Sequence, residues 1–210
     1  MHHSIFTAIS MRALGALIAV SPLVAAQAYV SITGPSSVSA INRANPWASK
    51  TLIAGKGAVA VALTPDGKRA YVANELGRSI SVLDTTTGQP MANILLTADA
   101  YAVVASPDGS RIYALTQDSY GGVAVLGIDT ASNRILFSNG VPGSYGGWSR
   151  SLPHMPAPSI SADGQTLYIA TSSLTLFDVT TQTVTATIQT PHGYIGLVGW
   201  RSIRMARKLL

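Results

Sequence analysis

The segment Gly55-Lys56-Gly57-Ala58-Val59-Ala60 has the glycine spacing of a loose dinucleotide-binding motif. In that motif a helix must follow the glycines, because the helix N-terminus binds the pyrophosphate. Here a run of small and branched apolar residues follows, and then a Pro-Asp-Gly turn. The sequence therefore predicts a turn leading into a strand, and no nucleotide cofactor.

Six aspartates recur in register and form the most regular set of ionisable side chains in the chain. Three lie in Asp-Gly turns and three precede Thr- or Ser-containing turns. Asp side chains in such places accept hydrogen bonds from the turn backbone. We therefore interpret all six as turn caps and predict no catalytic carboxylate among them. They are Asp66, Asp108, Asp163, Asp84, Asp129 and Asp178.

Other residue types that support catalysis or metal binding are scarce. Apart from His2 and His3 the chain has only His154 and His192, and it has one glutamate, Glu75, and no cysteine. Transition-metal sites usually need three or four such ligands together. No Gly-x-Ser-x-Gly elbow is present either. The sequence predicts no metal site, no catalytic residue and no cofactor.

The aspartates belong to an internal repeat. The octapeptide at 64–71 recurs at 106–113 and 161–168, and the final tyrosines are 42 and then 55 residues apart. Each full unit contains four short apolar runs separated by turn residues, as in the 58–63, 69–74, 79–82 and 91–96 runs of one copy. Four short strands in about 42 residues are typical of a β-propeller blade.

The motifs resemble those of the YVTN repeat family, here as Tyr71-Val72-Ala73-Asn74 after a Pro-Asp-Gly turn. The resemblance covers residues 29–193 and implies an all-β propeller of four-stranded blades. We expect about four blades in an incomplete ring. The partial first copy at Tyr29-Val30 is expected to lack its inner strand. Relatives include YncE-like exported proteins and surface-layer propellers.

The N-terminus has the features of an export signal. Arg12 precedes an apolar stretch, 13–26, which ends in the small-x-small pattern Ala26-Gln27-Ala28. The stretch is too short for a membrane anchor and contains Pro22. We predict a signal peptide at 1–28, starting at Met1 or Met11, a periplasmic, extracellular or cell-surface location, and no membrane span in the mature chain.

The high isoelectric point of about 9.7 does not indicate a nucleic-acid partner. Five of the 14 basic residues are Arg12 and four residues of the last ten, so residues 29–193 hold nine basic and nine acidic groups. A neutral body lacks the positive surface that phosphate binding requires.

One end of the predicted blades is the better candidate for binding. In a four-stranded meander the first and third turns lie at one end, and the middle loops and blade links lie at the other. The variable segments 75–78 and 116–122 fall at this second end, with a thirteen-residue insertion between 144 and 158. An insertion of this kind resembles a recognition loop, or alternatively a mobile loop over a blade edge. The predicted binding residues are Glu75, Arg78, Asp118, Tyr120, Tyr145, Trp148, Arg150 and His154.

These features favour an exported, non-catalytic binding or scaffold protein for an unknown protein or small-molecule ligand. The resemblance leaves one alternative, a propeller enzyme or enzyme accessory of the lactonase-like or quinoprotein-associated kind. The YncE-like resemblance also suggests nucleic-acid binding, which the neutral body argues against.

The repeat register is lost in the basic tail at 194–210. We expect that the chain ends prematurely, since a shifted reading frame across 200–206 can encode Ala-Val-Asp-Pro-Asp-Gly. In the alternative, residues 194–199 pair with the first blade and close a four-bladed ring.

We expect the exported chain to begin at Tyr29, because signal peptidase cleaves after a small-x-small pattern. N-terminal sequencing of the exported protein checks this position. A mature chain that retains Arg12 would contradict the prediction.

Overall fold

The structure is a computed structural model that describes residues 18–20, 27–32, 37–42, 49–144, 157–170 and 173–189. These residues form sixteen β-strands arranged in four sheets. Within the same ranges, no helix has the length and apolar character needed to cross a membrane.

Each sheet consists of four strands that are consecutive in the chain. Sheet 1 contains β1 (Ile18–Val20), β2 (Gln27–Ile32), β3 (Ser37–Asn42) and β4 (Ser49–Ile53). Sheet 2 contains β5 (Ala58–Leu63), β6 (Arg69–Asn74), β7 (Ser79–Asp84) and β8 (Pro90–Leu95). Sheet 3 contains β9 (Asp99–Ala105), β10 (Arg111–Gln117), β11 (Gly122–Asp129) and β12 (Ile135–Ser144). Sheet 4 contains β13 (Ser159–Ile160), β14 (Thr166–Ala170), β15 (Ser173–Asp178) and β16 (Thr183–Gln189).

The four-stranded units predicted from the repeat are confirmed. Within each sheet every strand pairs antiparallel with the next one in the chain, so each sheet is a meander. β5 and β6 have the predicted bounds, whereas the outer strand predicted at 91–96 lies at Pro90–Leu95. A meander is the expected outcome for short strands separated by tight turns.

Sheet 1 differs from the prediction, because it has an inner strand. Ile18–Val20, inside the predicted signal peptide, pairs antiparallel with β2. The expected absence of this strand is therefore wrong for the full chain. The physical reason is composition, since inner strands and signal sequences are both short runs of small and branched apolar residues. The prediction of cleavage after Ala28 remains a prediction, and β2 spans that position.

The core lies between the sheets, because alternate residues of each strand point to opposite faces. We call the face toward the next sheet along the chain the forward face. In sheet 2 the forward residues Tyr71, Ile80 and Val82 are buried against Ile112 and Ile128 of sheet 3. The residues that alternate with them bury the other face against sheet 1. Sheets 3 and 4 share a third cluster.

Side chains of one sheet also hold the third turn of the next sheet. The Tyr71 hydroxyl donates to Asn133 Oδ1 at 2.8 Å, and the Arg69 guanidinium donates to the Thr130 carbonyl. Between sheets 1 and 2, Lys50 Nζ donates to the Thr87 carbonyl at 2.7 Å. These bonds fix how neighbouring sheets align along their strands.

The Tyr71→Phe variant tests the bond between sheets 2 and 3. We expect the free energy of unfolding to fall by about 1 kcal/mol, because one partly buried hydrogen bond is lost without a change in packing. Urea denaturation measures the change. Tyr120→Phe is the control, since Tyr120 is 98% exposed and the same substitution there should have no effect. Equal stability of Tyr71→Phe and the unmodified chain would contradict the role of the bond.

Candidate binding face at the loop end

The two glycines of the candidate nucleotide motif have structural reasons to be glycine. A Cβ on Gly55 would lie 2.5 Å from Asn74 Nδ2, and Gly57 has a φ of +73°. Asn74 Nδ2 donates to Ser81 Oγ at 2.9 Å, and the same oxygen accepts from Gly55 N at 3.0 Å. The predicted strand after this segment is confirmed as β5. The glycines therefore serve a close contact and a turn, where other residues would be strained.

The aspartates of the first turns form a repeated unit with a hydroxyl two residues earlier. Thr64 Oγ1 donates to Asp66 Oδ1 at 2.6 Å, and Lys68 N donates to the same oxygen at 3.0 Å. The Thr64 hydrogen bond is the main cause that lowers the pKa of Asp66 below its usual range. The Ser106–Asp108 and Ser161–Asp163 pairs repeat this arrangement.

The aspartates of the third turns accept hydrogen bonds from the turn backbone. Asp84 Oδ1 accepts from Thr87 N at 2.7 Å and from Thr86 N at 2.8 Å, and the Thr87 bond is the main cause that lowers the pKa of Asp84. Asp129 and Asp178 cap their turns in the same way. The interpretation of all six aspartates as turn caps is confirmed.

The third turns also share a backbone conformation with positive φ. Gly88 has a φ of +76°, Asn133 of 56° and Gln182 of 59°. Glycine adopts this left-handed region freely, asparagine tolerates it, and glutamine is strained there.

We call the end of the sheets that carries the first and third turns the turn end. A groove of about 550 Å³ lies there, between sheets 2 and 3. Asp66 and Asp108 are among its lining residues, together with Arg69. Both carboxylates cap their own turns, and the Arg69 guanidinium donates to the Thr130 carbonyl. The polar groups named here are thus already engaged within the protein, which makes the groove a weak candidate for binding.

We call the opposite end, with the middle loops, the loop end. There the middle loop of sheet 2 is hydrogen-bonded to the segment that links it to sheet 1 and to the segment that links it to sheet 3. Glu75 N donates to the Gly57 carbonyl at 2.9 Å, and Gly77 N donates to the Lys56 carbonyl at 2.9 Å. On the other side Leu96 N donates to the Arg78 carbonyl at 2.8 Å. The predicted gathering of middle loops and links at one end is therefore confirmed for this sheet.

An ion pair places the middle loops of sheets 2 and 3 side by side. Arg78 Nε donates to Asp99 Oδ1 at 2.8 Å. Asp99 pairs across the sheet with Gln117, the residue that precedes Asp118. Since Arg78 is engaged in this contact, its side chain positions the loops. An exposed pair of this kind contributes only modestly to stability.

Asp118 organises its own loop and displays Tyr120. Asp118 Oδ1 accepts from Tyr120 N and Gly122 N, both at 2.8 Å. Tyr120 is 98% exposed. Gly122 already belongs to a strand and Gln117 ends one, so the loop is 118–121 and shorter than the predicted variable segment 116–122.

Sequence reasoning missed Leu76, which is 58% exposed in the middle loop of sheet 2. The sequence did indicate an exposed apolar side chain there, because Leu76 lies between Glu75 and Gly77 in a variable loop. Glu75 and Arg78 flank it in the same loop. Four predicted binding residues lie outside the described residues, namely Tyr145, Trp148, Arg150 and His154. In the part of the chain that the structure describes, no three His, Asp or Glu side chains cluster to hold a metal ion.

Comparisons with known proteins identify the fold. No protein-family model and no curated protein matches the sequence. Among solved structures, Kuenenia stuttgartiensis hydrazine synthase matches with a TM-score of 0.72 and 22% identity, over 89% of this chain and 52% of that one. A functionally unknown protein from Desulfotomaculum acetoxidans matches with a TM-score of 0.66 and 22% identity, over 83% of this chain and 57% of that one.

The chain thus spans about half the length of the solved structures it matches. With its four antiparallel four-stranded sheets it is an all-β propeller. More narrowly, it has about four blades in an open arrangement, as the repeat predicted. Identities of 22% carry the fold and nothing further.

The turn aspartates predict a loss of stability in acid. Their pKa values lie below the ordinary 3.8, so their contribution is complete above that pH and is lost as the pH falls through the lower folded value. We expect Asp66→Asn to show a shallower fall in melting temperature below about pH 4 than the unmodified chain. Calorimetry across this range checks it. Parallel curves for the two proteins would contradict the proposed hydrogen-bonded carboxylate.

Proposed function

We propose that this chain is an exported, non-catalytic β-propeller of the YVTN-repeat kind that binds a partner through its loop end. The observation that carries the proposal is the pair of exposed side chains, Tyr120 and Leu76, on adjacent hydrogen-bonded loops. A ligand is a protein or small molecule with an apolar or aromatic surface that these side chains can cover.

The rigidity of the loops supports this proposal. Asp118 holds the loop that carries Tyr120, and the links on both sides hold the loop that carries Leu76. Binding to a rigid loop costs little conformational entropy. Exposed aromatic side chains on rigid supports are frequent binding hot spots.

A non-catalytic role is supported by the use of the repeated carboxylates. All six are engaged as turn caps, at the turn end rather than beside Tyr120. The alternative is a lactonase-like or quinoprotein-associated enzyme or accessory. Turnover of a lactone or of a quinone-linked substrate by the purified chain would favour that alternative over a binding protein.

Export to the periplasm or cell surface is part of the proposal and rests on the sequence at 1–28. Cleavage after Ala28 would remove β1 and the first two residues of β2. Sheet 1 of the mature chain would then have three strands. Cell fractionation with antibody detection tests the location independently of any ligand.

The ligand class is tested by measuring thermal shifts of the purified chain with oligosaccharides, lactones and single-stranded DNA. For the probe that binds, we expect Tyr120→Ala and Leu76→Ala to weaken affinity about tenfold, because each removes an exposed apolar contact. The melting temperature should stay unchanged, since exposed substitutions cost little. Trp148→Ala and Arg150→Ala extend the test to the insertion.

Leu136→Ala is the matched control, because Leu136 is 52% exposed and lies directly after the third turn of sheet 3, at the end opposite the loop end. Weakening by Leu136→Ala equal to that by Leu76→Ala would contradict the loop-end face. Single-stranded DNA as the best ligand would contradict the expectation drawn from the neutral charge of the body.

A further inference from the structure

Among the described residues, sheet 4 differs from sheets 2 and 3 in having one face that no other sheet covers. In sheets 2 and 3 nearly every residue of the second and third strands is buried. In sheet 4 burial alternates, so that Leu167 and Ile169 are buried while Tyr168 between them is only partly covered. Alternation with period two means that one face is packed and the other is not.

The uncovered face is apolar and matches a face that is buried elsewhere in the chain. Tyr168 pairs with Leu176 and Leu176 with Ala186, as Tyr71 pairs with Val82 and Val82 with Ala92. The next row repeats the match, with Ala170, Leu174 and Ile188 in the places of Ala73, Ile80 and Ile94. We call the six residues of sheet 4 the open face: Tyr168, Ala170, Leu174, Leu176, Ala186 and Ile188.

The equivalent residues of sheet 2 form an established interface. Tyr71, Ala73, Ile80, Val82 and Ile94 are buried against sheet 3. Ile94 of sheet 2 and Ile188 of sheet 4 occupy equivalent positions, yet Ile94 is 9% exposed and Ile188 is 52% exposed. The open face is therefore equivalent to the face of sheet 2 that sheet 3 covers. An apolar face of this kind is suited to packing against another sheet of the same type.

A suitable receiving surface exists at the other end of the series. In sheet 1, Val38 and Ala40 are buried against sheet 2. Ser39 alternates with them, so it lies on the opposite face, and it is partly exposed. In the described residues, the three buried clusters each join neighbouring sheets, and none joins sheet 1 to sheet 4.

We propose that the open face of sheet 4 packs against sheet 1 of a second copy of this chain. Two such contacts related by a twofold axis would close one ring of eight sheets, which lies within the four to eight blades that propellers contain. Closure also removes the two uncovered sheet faces.

Light scattering during gel filtration of the full chain tests the proposal. We expect a particle of twice the mass of one chain, which is 21.8 kDa with residues 1–28 present. Ile188→Asp should give a monomer that remains folded, because the residue is already half exposed within one chain and becomes buried only in the pair. Leu95→Asp is the matched control and should stay dimeric, since Leu95 lies at 74% exposure outside the open face.

A second variant guards against a trivial effect of Ile188→Asp on folding. The chain has no cysteine, so a chain carrying both Ser39→Cys and Ala186→Cys has only these two thiols. Mild oxidation should give a covalent dimer on a non-reducing gel. A disulfide within one chain would show that its own sheet 1 covers the open face. That result, or a monomer by light scattering in the unmodified chain, would overturn the proposal.

Discussion

Face-to-face packing of neighbouring sheets is the constraint on which the rest of this molecule depends. A strand in sheet 2 must be apolar on both faces, because sheets 1 and 3 cover it from either side. The ring of Tyr71 is buried in the core, and its hydroxyl donates a hydrogen bond to Asn133 of sheet 3. Once the sheets are stacked in this way, the turns and the loops are forced to opposite ends of the stack.

The two ends of the stack differ in how their backbone polar groups are hydrogen-bonded and in what they expose to solvent. At the turn end, a hydroxyl, an aspartate and a glycine satisfy the backbone locally, and the same solution recurs in three copies. Such a surface has few groups left for a ligand. At the loop end the segments differ between sheets, and the hydrogen bonds hold the backbone while Tyr120 and Leu76 project into solvent.

The fold was readable from the sequence because the repeat combines period-two strands with Asp-Gly turns, so β5 and β6 were predicted to the residue. β1 was not, since Ile18–Val20 has a composition shared by signal sequences and inner strands. Arg78 and Asp118 stay predicted as ligand-binding residues, and the structure adds that their side chains also hold the loops. Spacing cannot distinguish a side chain that faces solvent from one that folds back, because that depends on neighbouring sheets. Leu76 was missed for the same reason.

The left-handed residue of the third turn has a further consequence for the order in which the chain opens. The position is glycine in sheet 2, asparagine in sheet 3 and glutamine in sheet 4. A glutamine at positive φ costs about 1 kcal/mol more than a glycine. In a linear array each unit is stabilised mainly by its neighbours, and sheet 4 has one covered face. In a single, undimerised chain local fluctuations should therefore begin at this end, and amide hydrogens of β16 should exchange long before those of β7.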